Sequence, residues 1–160
     1  MKVSDIVQKV ISGGQTGIDE AALNIAHQLG YTTGGYAPKD FKTERGPNFL
    51  LRTTYGLVEC ESSSYPIRTK LNIQHSDLTI VFGNLNSPGS KQTITLCKQC
   101  QKPCLENPSV EEAIAYIQEH KPAIVNFAGN RMSKLSNLDW NIYSNRIIKI
   151  LSTNNYENLF

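Results

Sequence analysis

The chain has 160 residues, 39% of them hydrophobic, and a formal net charge of +2; this is the size of one compact domain, able to bury about two-thirds of its unfolded surface. Acidic and basic residues are interspersed, which leaves no basic groove for nucleic acid and no cationic face for a membrane. No run approaches the roughly 20 apolar residues of a membrane span, and the opening "MKVSDIVQKV" lacks the apolar centre of a secretory leader, so a cytoplasmic protein with small-molecule partners is expected.

Short apolar runs alternate with amphipathic segments along the chain, the pattern of an α/β fold. Ile6 to Ile11 reads as the first strand. It runs through "SGGQTG" into a helix from Ile18 to Leu29, on which Ile18, Ala22, Ile25 and Leu29 share a face and which Gly30 stops. "TTGGY" is a second strand. The loop from Pro38 to Tyr65 shows little periodicity and is long for a bare connection, so it is expected to act as a lid. Arg68 and Asn72 then share a helix face, and with Asp77 they are expected to fix that loop. The third strand is "LTIVF", Leu78 to Phe82. A helix near Lys91 to Gln101, a short fourth strand "KPCL", a helix from Ser109 to Glu119, a fifth strand "AIVNF" and a last helix from about Leu138 to Leu151 complete the chain. Right-handed crossovers join these into a single domain over residues 1–160. Its expected architecture is a three-layer Rossmann-like fold, a mostly parallel sheet of about five or more strands with helices on both faces and the strand order 2-1-3-4-5.

The corner after the first strand holds more glycines than a turn needs. Gly13, Gly14 and Gly17 let backbone N–H groups approach an anion without obstruction, and the N-terminus of the following helix adds partial positive charge. At the carboxyl edge of an open α/β sheet, that corner is expected to hold a phosphate. A capping box between Thr16 and Asp19 would explain their spacing with no ligand. The loop after the third strand, "GNLNSPGSKQT", is also small and polar, with Ser90 as an N-cap and Lys91 in the first turn of the next helix. A cation there opposes the helix dipole unless an anion compensates it.

"CKQCQKPC" brings Cys97, Cys100 and Cys104 together, but three thiolates are one short of a structural zinc site or an iron–sulfur cluster. Cys97 and Cys100 share a helix face with Ile94, and Cys104 lies in the fourth strand, so free thiols packed as small hydrophobes are expected, with no structural metal. Trp140 and Tyr143, three apart on the last helix, read as packing or oligomer contacts.

The segments "SGGQTGIDEAAL", "TGGYAPK", "ERGP", "YGLVE", "YPIRTKLNIQHSDLTIVF" and "NFAGNRMS" resemble the molybdenum cofactor carrier family, in the circularly permuted branch of the SLOG superfamily, relatives of the lysine-decarboxylase-like Rossmann proteins. The resemblance extends over nearly the whole chain. It implies a Rossmann-like domain, commonly a homo-oligomer, whose glycine loops hold a phosphorylated pterin or nucleotide-like ligand; for some members this is the molybdenum cofactor (molybdopterin), with a molybdoenzyme as recipient. Carried over residue by residue, ligand contact falls on Gly13, Gly14, Gln15, Thr16 and Gly17 in the first loop and on Gly89, Ser90, Lys91 and Thr93 in the second. Gly129, Arg131 and Ser133 form a third wall. The chain departs from the family at Glu20, where relatives often carry a basic residue, and at Asn130 and Met132, where the third loop usually reads Gly-Pro-Arg-Glu-Ser.

Two functions of different class follow. One is a carrier that binds and protects its ligand without bond chemistry. The other is a nucleotide-processing enzyme cleaving an N-glycosidic bond, which needs a carboxylate near the sugar. Glu44 and Glu59 on the long loop are the candidates, and neither has a recognisable partner in the sequence. The carrier is the preferred reading.

Overall fold

The computed structural model describes residues 1–152. In chain order its elements are α1 (Val3–Ile6), β1 (Lys9–Ile11), α2 (Ile18–Gln28), β2 (Thr32–Gly34), β3 (Tyr36–Ala37), β4 (Lys42–Thr43), β5 (Gly46–Pro47), α3 (Leu50–Thr53), β6 (Val58–Glu59), α4 (Tyr65–Gln74), β7 (Leu78–Phe82), α5 (Pro88–Gln99), β8 (Cys104–Glu106), α6 (Val110–His120), β9 (Ile124–Gly129) and α7 (Asn137–Leu151). The expected α/β sandwich is present: five parallel strands with helices packed on both faces.

Two expectations are corrected. Residues Val3–Ile6 form a helix and the first strand begins only at Lys9, because Val3 and Ile6, three apart, are both buried on one helical face. The sheet order is β2-β1-β9-β7-β8, which in chain order of these five strands is 2-1-5-3-4 and not 2-1-3-4-5. The last strand inserts between the first and the third. The reason is coverage: β7 is buried at every position and β9 through its middle, so these two apolar strands need helices on both faces and take the centre. The half-exposed β8 and the partly polar β2 are left at the edges. The resulting order is that of a 3-2-1-4-5 Rossmann sheet whose first strand has moved to the end of the chain.

The two faces differ in chemistry. On one, Val125 and Phe127 of β9 and Leu78, Ile80 and Phe82 of β7 join α1, α2, α6 and α7 in the main core. Phe82 stacks between Phe127 and Tyr143, ring centroids 6.5 and 5.4 Å away, so Tyr143 is a packing residue. The opposite face, under α4 and α5, carries Thr79 and Asn126, whose side chains hydrogen bond at 3.2 Å. The polar face is where a ligand can enter.

The long segment expected to act as a lid has structure of its own, and none of residues 38–64 lines the cavity between α4 and α5. β3 pairs with β6 and β4 with β5, while Ala37, Phe41, Leu51 and Leu57 bury themselves against Leu23 of α2. Asn72 anchors the start of this segment as expected: its Oδ1 accepts from Tyr36 N–H at 2.9 Å and its Nδ2 donates to Tyr36 C=O at 3.0 Å. Asp77 instead fixes β9, accepting from Ile124 N–H at 2.9 Å. Cys60, Cys97, Cys100 and Cys104 are free thiols, with Cys97 fully buried.

Phe127→Ala is expected to lower unfolding free energy by roughly 3–5 kcal/mol, the usual range for emptying a buried aromatic site. Urea denaturation measures it, and a loss within the error of the extrapolation would show that the Phe82–Phe127–Tyr143 stack does not organise the core.

Candidate ligand-binding site

At the centre of the sheet the chain leaves β9 towards α7 on one face and leaves β7, its neighbour, towards α5 on the other. Crevices of this kind, outside the carboxyl ends of diverging strands, are where open α/β sheets bind ligands. A cavity of about 860 Å³ opens there, between α4 and α5 and above the polar face. It falls within the size of small-molecule sites, roughly 300–1,000 Å³.

α4 and α5 both begin at the cavity mouth, so their first-turn N–H groups, which have no partners in the helix ladder, face the same space. Ser87, not Ser90, caps α5: its Oγ accepts from Ser90 N–H at 3.4 Å. Pro88 takes the first helical position, where its fixed φ suits the turn and its missing N–H costs nothing. Gly89, Ser90 and Thr93 consequently line the cavity, whereas Lys91 is exposed and lies off its wall.

The glycine corner lies beside the cavity, but its glycines answer to protein neighbours. A Cβ on Gly13 would overlap Arg68 Nη1, the guanidinium that reaches Asp19 Oδ2 at 3.2 Å. A Cβ on Gly14 would meet the Leu51 and Leu57 side chains, behind the cavity. Gly17, with φ 85°, is the N-cap of α2, and a Cβ there would stand 2.3 Å from Asn130 O. Gly13 and Gln15 line the cavity; Gly14, Thr16 and Gly17 do not. The Thr16–Asp19 capping box does not form. Thr16 Oγ1 accepts from Met132 N–H at 3.1 Å and donates to Glu44, and Asp19 accepts from Gln15 N–H at 3.3 Å. Burial pushes the Asp19 carboxyl up from the ordinary aspartate value, against the pull of Arg68 and of the Gln15 and Gly129 N–H groups.

Asn130 joins all three loops. Its backbone C=O accepts from Ile18 N–H at 3.3 Å, its Oδ1 accepts from Asn84 N–H at 2.6 Å, and its Nδ2 donates to Ser87 Oγ at 3.0 Å. Gly83, with φ 118°, gives that side chain room, since a Cβ would come within 2.0 Å of Asn130 Oδ1. Asn130 is absent from the expected contact residues. Its only mark in the sequence is the departure at "GNRMS".

Glu44 makes the second tie. It accepts from Thr16 Oγ1 at 2.5 Å, from Ser133 Oγ at 2.5 Å and from Ser133 N–H at 3.1 Å, so one carboxylate clasps the long segment to the first and third loops. Burial pushes its pKa up, but the Ser133 and Thr16 hydrogen bonds and the nearby Arg131 outweigh that and hold it below the ordinary glutamate value of 4.5. Glu59, exposed, accepts from Asp40 N–H at 2.7 Å. Neither glutamate lines the cavity, and Ser133 is held by the clasp outside it.

The exposed Arg131 and Lys134 line the mouth, and the half-buried Gly129 also lines the cavity. Among the described residues lining the cavity Asp19 is the only acid, and it is paired with Arg68. The arrangement presents cationic side chains and helix N-termini, without a free acid–base pair. Lys134, Arg68 and Asn126 are wall residues beyond those expected to touch ligand; the cation in "NRMSK" was the one signal available for Lys134.

The model of the circularly permuted YpsA SLOG family matches residues 10–148. Among solved structures, the chain is similar to a candidate molybdenum carrier protein from Syntrophus aciditrophicus SB, with 34% sequence identity, a TM-score of 0.72, and coverage of 91% of this chain and 95% of that one. No curated protein matches the chain.

Asn130→Ala is expected to cost about 1–3 kcal/mol, because it removes the acceptor of Asn84 N–H and one of the two partners of Ser87 Oγ at once; hydrogen exchange should rise in all three loops together, and a rise confined to the third would show that Asn130 is not the shared tie. The Glu44 clasp should be pH-dependent. With its folded pKa depressed, its stabilisation is fully present above about pH 4.5 and is lost as pH falls below that value. Exchange in the segment 42–47 should accelerate in that acid window, and Glu44→Gln should abolish the pH dependence.

Proposed function

This chain belongs to the circularly permuted YpsA SLOG family, and from that premise we propose that it is a carrier of a phosphorylated pterin of the molybdenum cofactor type, bound in the cavity between α4 and α5. The observation that carries the reading is the likeness, over 91% of the chain, to a protein named as a candidate molybdenum carrier. The cavity chemistry supports it. A phosphate at the mouth would take charge-assisted hydrogen bonds from Arg131 and Lys134 and backbone donors from the first turn of α5 at Gly89. Gly13, Gln15, Ser90, Thr93 and Gly129 would then surround the body of the ligand. Thr16, Gly17 and Ser133, and Gly14 behind them, would act by shaping the loops that surround it.

Binding of this kind needs no bond to break. Transfer of a nucleotide's glycosidic bond would need a free carboxylate against the sugar, whereas the one acid on the wall is already committed to Arg68. A carrier instead gains from enclosure, and the cavity between α4 and α5, whose wall includes no residue of 38–64, would itself shield an oxidation-prone ring before its delivery to a molybdoenzyme in the cytoplasm.

Titration of the protein with isolated molybdenum cofactor, followed by fluorescence, tests the reading. Arg131→Ala and Lys134→Ala are each expected to weaken binding by roughly 1.5–3 kcal/mol, less at high salt. Lys91→Ala, off the wall, should change it little. Nucleoside monophosphates incubated with the protein should release no base; sustained release would replace the carrier with an enzyme, and no affinity for cofactor at any salt would end the proposal.

A further inference from the structure

β9 is an apolar central strand apart from one residue. Asn126 is 2% exposed, flanked by Val125 and Phe127, at a position where a buried central strand ordinarily carries Val or Ile. A buried amide is retained at such a place only if its donors and acceptors are used. Asn126 Nδ2 donates to Thr79 Oγ1 at 3.2 Å. The other end of the amide is left over: Oδ1 has no partner in the protein, and Asn126 lines the cavity. A second buried atom of the cavity lining, Arg68 Nε on α4, is also without a partner, its Nη1 being engaged with Asp19.

We propose that the cavity floor reads a nitrogen heterocycle, with Asn126 Oδ1 accepting from a ring or exocyclic N–H and Arg68 Nε donating to the adjacent carbonyl or ring nitrogen; this rests on the ligand-binding reading above and names the half of the ligand it left open. The polarity of Oδ1 carries the assignment. An acceptor repels phosphate oxygens, so the anion cannot lie at the floor and belongs at the mouth with Arg131 and Lys134. The ring goes in first and the phosphate stays outermost. Both floor atoms are shielded in the unliganded arrangement, so the ring must part the side chains above them. The donor-and-acceptor edge required is shared by guanine and pterin rings, both built on an aminopyrimidinone.

Calorimetric titration with four probes tests this: ribose 5-phosphate, purine riboside 5′-monophosphate, guanosine 5′-monophosphate and 6-hydroxymethylpterin monophosphate. The purine riboside compound keeps the phosphate, sugar and ring size but has no N–H on its ring and no carbonyl. At least one of the last two probes is expected to bind about tenfold more tightly than it, and whichever does so identifies the ring. In Asn126→Leu that preference should fall to within about threefold, with ribose 5-phosphate affinity unchanged. The comparison on the unsubstituted protein stands even where that variant does not fold. Equal affinity of the unsubstituted protein for all ring-bearing probes would overturn the floor assignment while leaving the anion cradle intact. A preference that persists in folded Asn126→Leu would overturn the role of Asn126. No binding of any probe, ribose 5-phosphate included, would overturn the floor assignment, and the carrier reading would then stand or fall on its own cofactor titration.

Discussion

The bracket made by Asn130 is the constraint around which the site is organised. Three loops leave the carboxyl edge of the sheet from strands that are distant in sequence, and loops at a surface are ordinarily the most variable and mobile parts of a fold. Here one side chain and its own carbonyl link Ile18, Asn84 and Ser87. Two glycines exist in the form they do because of it: Gly17 beside its carbonyl and Gly83 beside its amide. With those three attachments made, the α5 N-terminus and the Arg131–Lys134 stretch are held at one mouth, and the cavity has a fixed outline.

The second dependence is on charge. The one acid of the wall, Asp19, is buried beside Arg68, and breaking a buried pair by removing one partner is far more costly than replacing both. The pair explains why Gly13 has no side chain, since the guanidinium occupies that space. It also cancels the charge nearest the floor. What remains is a mouth with the exposed cations Arg131 and Lys134 and a floor with a neutral hydrogen-bonding amide, which gives a ligand an inner and an outer end.

The two faces of the sheet divide the labour. The face under α1, α2, α6 and α7 is closed by aromatic stacking and carries the stability. The face under α4 and α5 carries Thr79 and Asn126, which hydrogen bond to each other and leave Asn126 Oδ1 over at the cavity. Of the thiols of "CKQCQKPC", Cys97 packs as a buried small hydrophobe, as expected, while Cys100 and Cys104 are half-buried. Among the described residues no group of three or more metal-ligating side chains comes together.

What the sequence by itself determined was everything set by local spacing. The five main strands apart from the start of the first, the longer helices and the placing of loops at the carboxyl edge follow from short-range periodicity and turn chemistry, while "SGGQTG" with "NFAGNRMS" carried the family resemblance and, with it, the third wall at Arg131. What only the tertiary structure decided was which distant residues meet. The strand order could not be read from crossovers alone, because β9 takes the centre through a competition among all five strands for cover on both faces. The glycines at 13, 14 and 17 read as phosphate contacts, and what the fold adds is that a Cβ at each would also meet Arg68, Leu51 or Asn130, each supplied by a remote segment. Glu44 read as an unpartnered acid because its partner Ser133 lies 89 residues away. A hydrogen bond depends on atoms within about 3 Å, and separation along the chain carries almost no information about that distance once the chain has folded.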